Sequence, residues 1–237
     1  MREEQIGMRK SWIPSYIALG VIWGCSFIFI KLGLRFLTPV GVAFARCFFG
    51  SITLLIIAKI RRISLPTGKR TWFYLWIVSL LLNVIPGFLF AFAEVRVTSV
   101  LAGIMNATTP LMTLIVILLA FRTERPTRNQ IIGLFVGGIG VLTVLGAWKG
   151  IGHNNLIGVI ALLLATTCYG ISFPFIRTRI APLGLSSEAL AATQVTTGAL
   201  TLLPFFLIDG ISRDTFTPGP IAAVLALGIF GSGIAYI

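Results

Sequence analysis

Trp23-Gly24-Cys25-Ser26-Phe27-Ile28-Phe29-Ile30-Lys31 returns 146 residues later as Tyr169-Gly170-Ile171-Ser172-Phe173-Pro174-Phe175-Ile176-Arg177. The same offset lays Gly87 on Gly233 and Phe90 on Tyr236, so the register persists far from the matched stretch. Both copies lie in long apolar runs, which marks a duplicated membrane module rather than a soluble repeat array.

Working outward, eight apolar runs follow one another with short breaks, at 16–36, 39–58, 72–93, 98–121, 128–146, 156–176, 187–208 and 218–237. Each is close to the roughly 20 residues that a helix needs to cross a ~30 Å hydrocarbon layer. Apolar residues make up 57% of the 237 and charged residues 11%, whereas a soluble domain carries about a quarter charged residues. Residues 1–15 form a charged segment ahead of an apolar span that is longer than a signal-peptide core, so this span reads as an uncleaved anchor.

The net charge of +12 is a topology signal. Thirteen of the 19 Lys and Arg residues lie at the N-terminus or in the breaks around Lys59–Arg70, Arg122–Arg128 and Arg177–Arg179. The alternate breaks hold only Lys31, Arg35, Arg96, Lys149 and Arg213, with Arg46 inside a span. The positive-inside rule therefore places the N-terminus in the cytoplasm. With its basic residues dispersed in this way, the chain offers no groove for nucleic acid.

Five spans, an odd number, separate the start of the first module (16–146) from that of the second (156–237), so the second enters the membrane inverted. This is the plan of secondary transporters that bind substrate between two inverted halves near the midplane. The expected fold is an all-α integral membrane protein of two inverted five-helix repeats. Spans four and five have no counterpart in the second module, which holds three of five helices and falls short by about 55 to 60 residues. About eight transmembrane helices of a ten-helix plan are thus expected.

Local chemistry supports these limits. Thr127-Arg128-Asn129-Gln130 fits a capping box opening span five, and Gly133, Gly137, Gly138 and Gly140 then supply small residues for close helix packing. Cys25, Cys47 and Cys168 lie inside spans without paired spacing, and His153 is the only histidine. These features exclude a disulfide framework, a metal site and the clustered ligands or nucleophile–base pairs of an intramembrane enzyme. No cofactor motif is present.

The order Trp23-Gly24-x-Ser26-Phe27, Lys31, Pro39, Arg46, Pro110 and Glu124, with Tyr169-Gly170-x-Ser172-Phe173 and Gln194 in the second module, resembles the EamA family of the drug/metabolite transporter superfamily. The resemblance implies ten helices in two inverted repeats and export of small metabolites or amino acids across the cytoplasmic membrane. The implied partners are the lipid bilayer and a small-molecule substrate.

Arg46 is the sharpest candidate for the transport pathway, because a charge about 10 Å deep requires a partner or water. Lys31 and Glu94 fall at similar depth, and the three are expected either to form an outer gate or anion site or to pair for structure alone. Asn83 and Asn106 sit mid-span beside Pro86 and Pro110. With Pro174, these prolines are candidate hinges, because proline frees a carbonyl of the preceding turn. Trp23, Ser26 and Tyr169 are candidate cavity residues, and Thr193 and Gln194 occupy the region matching Arg46 after a two-residue shift. Glu124, Asp209, Asp214 and His153 read as solvated loop groups. An alternative reading is an inactive or partner-dependent fragment of a transporter, in which Gly228, Gly231 and Gly233 on span eight contact a second copy as a homo-oligomer.

Overall fold

A computed structural model describes residues 2–121, 127–144, 155–212 and 217–237, with side chains from residue 13 onward in the first helix. The expectations for Glu124, His153 and Asp214 lie outside the described residues. The main helices are α1 (Arg2–Gly33), α2 (Pro39–Ile60), α3 (Lys69–Ser79), α4 (Ile85–Glu94), α5 (Ser99–Asn106), α6 (Thr109–Val116), α7 (Arg128–Val144), α8 (Leu156–Phe175), α9 (Ser187–Asp209) and α10 (Pro218–Ala226). Span three is α3 continued into α4, and span four is α5 with α6. Among the described residues seven stretches are long and apolar enough to cross a membrane: Ile13–Gly33, Pro39–Ile60, Lys69–Glu94, Ser99–Ala120, Leu156–Leu183, Ser187–Asp209 and Pro218–Tyr236. The described part of span five, α7, has 17 residues. The all-α membrane fold expected from sequence is the fold observed.

Polar residues fix where the helices start. Thr38, Thr98, Asn155 and Ser186 each turn a side-chain oxygen onto a backbone N–H of the following first turn, those of Gly41, Leu101, Gly158 and Ala189. Such caps satisfy donors that lipid cannot. The capping box also forms: Thr127 N donates to Gln130 Oε1 at 2.8 Å and Gln130 N to Thr127 Oγ1 at 3.3 Å.

Helix pairing repeats the duplication. Span two packs along span seven, span one packs on span eight, and span three packs on span six. Exchanging the two modules converts the second contact into the third and leaves the first in place, as a two-fold axis between inverted repeats requires. The seam of spans two and seven is built from small residues, with Ala43, Cys47, Ala191, Ala192 and Ala199 buried together, and Ser51 Oγ lies 2.6 Å from Thr196 Oγ1 across it. Just before span two and just after span seven, Leu37 pairs with Ile211 in a short antiparallel bridge. Gly41 permits that approach, since a Cβ there would lie 1.9 Å from the Gly210 carbonyl oxygen.

All three candidate hinge prolines stand beside departures from the α-helix. A π-helical turn, Leu80–Val84, precedes Pro86. Pro110 stands where the helix restarts after a break at Ala107–Thr108, and Pro174 lies just before a second π-turn, Ile176–Ile180. Span eight carries its own π-turn at Leu227–Gly231, matching that of span three with an offset of one more residue than the sequence repeat. Span four is therefore two helices rather than the one continuous run read from sequence. Pro110 cannot donate to the Asn106 carbonyl, and the Thr109 hydroxyl takes that place at 2.7 Å.

The glycine expectations are corrected. A Cβ on Gly133, Gly138 or Gly140 would meet nothing, and only Gly137 has a neighbour, Leu111, at 3.7 Å. Helix α7 sits at the edge against span four and exposes Ile132, Phe135, Val136 and Ile139. Of the glycines singled out from sequence for packing, the tight ones are those of span eight, and they are occupied within the chain. A Cβ on Gly228 would lie 2.5 Å from Phe49 Cβ, one on Gly231 3.1 Å from Ser26 Oγ, and one on Gly233 2.8 Å from Thr53 Cγ2. Spans one and two, not a second copy, cover them.

Candidate functional site

Between the two modules lies a cavity of about 270 Å³ lined by Trp23, Ser26, Phe27, Ile30, Arg46, Leu82, Phe90, Asn106, Thr109, Tyr169, Phe173 and Tyr236. Its six aromatic residues are three pairs related by the 146-residue repeat: Trp23 with Tyr169, Phe27 with Phe173, and Phe90 with Tyr236. The cavity thus lies on the axis that exchanges the modules, and each module supplies the same three wall positions. The rings also contact one another. Phe27 meets Phe90 edge-on with centroids 5.6 Å apart, and Phe90 stacks on Tyr169 at 6.0 Å. Such offset and edge contacts hold aromatic walls in fixed orientations.

Arg46 supplies the only charge on these walls among the described residues. Its Nε donates to Ser232 Oγ at 2.7 Å, and the Tyr169 and Tyr236 phenols lie within its electrostatic reach. No carboxylate lines the cavity among the described residues. The Arg46–Glu94 pair considered from sequence does not form, and the three-charge cluster does not assemble. Lys31 Nζ instead bonds the backbone carbonyls of Glu94 and Val97. The Glu94 side chain is buried and accepts from Ser99 Oγ at 2.8 Å. Lys31 and Glu94 thus belong to the junction of spans one, three and four rather than to the cavity wall.

Of the other polar candidates, Asn106 faces the cavity, and its amide has no hydrogen-bond partner among the described residues. Ser26 lines the cavity with its hydroxyl donating back to the Ile22 carbonyl at 2.9 Å. Trp23 Nε1 reaches the Gly231 carbonyl at 3.4 Å, linking span one to span eight. Asn83 and Gln194 do not line the cavity. Asn83 is buried at the crossing of spans two, three and seven, where Ser79 Oγ, Asn83 Cβ and Cys47 Sγ surround Gly198. Gln194 is 1% exposed and lies one turn before Gly198. The two helix caps decide its relation to Arg46. Thr38 and Ser186 cap spans two and seven at equivalent positions 148 residues apart, so Gln194 is the counterpart of Arg46.

A model of the EamA-like transporter family matches residues 10–146 and 156–237. The chain belongs to this family. Among family relatives, a transporter of Archaeoglobus fulgidus described as uncharacterized is 26% identical over 223 residues, covering 92% of this chain and 74% of the relative. PecM of Dickeya dadantii is 27% identical over 217 residues, 91% of this chain and 69% of PecM. PagO of Salmonella typhimurium is 26% identical over 229 residues, 94% of this chain and 73% of PagO. One solved crystal structure superposes with a TM-score of 0.64 at 19% identity, covering 96% of this chain and 77% of that one; it shares the fold. The protein is therefore a multi-pass membrane transporter of the EamA-like family, not an enzyme.

Several lining residues escaped the sequence reading. Phe90 and Tyr236 marked only the register of the repeat, and Phe27 and Phe173 marked the repeat and the family resemblance, without being named as cavity residues. The signal that identifies them was present: aromatic side chains kept in both copies at three positions. Ser232, which holds Arg46, carried no such signal, since its role depends on where span eight crosses span two.

Proposed function

We propose that the protein is a secondary transporter that exports a small metabolite through the central cavity by alternating access of its two inverted repeats. The observation that carries this reading is the set of three repeat-related aromatic pairs around one cavity. A site on the exchange axis presents the same walls whichever module has rocked, so it can open to either side in turn. The π-turns beside Pro86 and Pro174, and the break before Pro110, are where spans three, six and four bend. Small-residue contact along spans two and seven supplies the sliding seam. The charge distribution supports a cytoplasmic N-terminus in the cell membrane.

Accessibility of the cavity tests this reading. Asn106→Cys, in a background lacking Cys25, Cys47 and Cys168, is expected to react with a membrane-impermeant maleimide from both faces of oriented vesicles. Reaction from neither face, or from one face under every condition, overturns alternating access. A topology reporter fused after Arg62 is expected to report the cytoplasm.

A further inference from the structure

Resting on the reading of this cavity as the transport site, we infer that its substrate is an organic monoanion with a flat aromatic body, rather than a zwitterion or a cation. Three observations converge. Half of the twelve lining residues are aromatic, so the walls accept a planar apolar group by stacking and edge contacts. One guanidinium, Arg46, projects into the cavity, with its Nε held by Ser232 and the Tyr169 phenol hydrogen-bonded to its side chain, which orients its positive charge on the cavity toward a carboxylate. No carboxylate on the described walls balances it, so a bound ammonium would meet a like charge with no acidic partner.

The aromatic rings alone would attract a cation. In a partly desolvated site, repulsion by a guanidinium a few ångströms away outweighs that attraction. The neutral groups fit an anion as well. Asn106 presents a free amide, whose N–H₂ donates to a carboxylate oxygen that the arginine fork leaves unmet. Size sets a further limit. At about 270 Å³ the cavity lies just below the roughly 300–1,000 Å³ that drug-sized ligands occupy, which suits a single ring with a short acidic arm.

Three probes share one skeleton and differ in charge: 3-phenylpropanoate, phenylalanine and phenethylamine. Hexanoate serves as the anion without a ring. Titration calorimetry of the purified protein at pH 7, where carboxyl groups are ionised and amines protonated, is expected to give 3-phenylpropanoate at least about tenfold tighter binding than the other three. Arg46→Gln should weaken that binding about ten- to a hundredfold, as expected for loss of a charged hydrogen bond. Arg46→Lys should restore part of it, which a purely structural role for Arg46 would not produce. Phenylalanine binding as tightly as 3-phenylpropanoate would overturn the monoanion class while leaving the cavity as the binding site. Equal binding of hexanoate would overturn the aromatic part. Binding of none of the four also overturns the inference, and the maleimide experiment on Asn106→Cys then decides independently whether the transport reading falls with it.

Discussion

Gly24 and Gly170 occupy the same place in the two repeats, yet alanine at each should have opposite effects. A Cβ on Gly170 would lie 2.9 Å from the Met112 carbonyl carbon and 3.0 Å from both the Met112 oxygen and the Thr113 nitrogen. All three atoms are backbone, so spans four and six must separate to admit a methyl group. Overpacking of this kind costs typically about 1–3 kcal/mol. A Cβ on Gly24 would meet nothing within 4 Å, leaving only the helix-propensity gain of up to about 1 kcal/mol. That gain is common to both substitutions, so the difference between the variants isolates the steric contribution of about 1–3 kcal/mol. Thermal unfolding of the purified variants in one detergent reads it, at roughly 2–4 °C per kcal/mol for a chain of this length. Gly170→Ala should melt below the native protein, and Gly24→Ala level with it or above. Equal melting temperatures, or a lower one for Gly24→Ala, would refute the close crossing of spans four and six.

Two further outcomes follow from contacts on other spans. Lys31→Met removes the cation that bonds the Glu94 and Val97 carbonyls, so unfolding should cost about 1 kcal/mol less while 3-phenylpropanoate affinity is unchanged; a tenfold affinity loss at native stability would instead place Lys31 in the pathway. Ser51→Cys with Thr196→Cys, in a background without native cysteines, joins positions whose hydroxyl oxygens lie 2.6 Å apart. A disulfide there should form under mild oxidation, and it should stop transport while sparing equilibrium binding if spans two and seven slide. Undiminished transport by the cross-linked protein would place the motion elsewhere.

Most of the fold was legible because its determinants are local or periodic. Span limits follow from apolar run length, the start of span five from the Thr127 capping box, and the inverted arrangement from an odd number of spans per repeat. The site was legible in part. Arg46 was identifiable from the cost of burying a charge, Trp23, Ser26 and Tyr169 from the repeat, and Asn106 from its mid-span place near Pro110. Pairing was not legible. Ser232 lies 186 residues from Arg46, and nothing in either segment's composition predicts their contact. Glycine spacing misled for the same reason: Gly138 and Gly228 look alike in sequence, yet one faces open space and the other the backbone of span two. The break in span four was signalled by Pro110, although apolar run length alone reads the span as continuous.

The duplication is conserved in the cavity's shape but broken in its charge, and that asymmetry has a testable consequence. Arg46 faces the cavity with Ser232 at its side, whereas its counterpart Gln194 is buried beside Ala191, Ala192 and Val195 in the seam of spans two and seven. The aromatic walls are therefore equivalent from either membrane face, while the anion's charged end stays tied to the first module as the halves rock. A guanidinium at 194 would enter a seam of small residues with neither a cavity nor a carboxylate to meet it. An uncompensated buried charge of this kind costs about 3–5 kcal/mol. Gln194→Arg should therefore lower the melting temperature sharply, and Arg46→Gln combined with Gln194→Arg should not recover 3-phenylpropanoate binding despite keeping one arginine per molecule. Native stability and affinity in the combined variant would mean that the two repeats present equivalent faces to the substrate, and that the first module has no special claim on its charge.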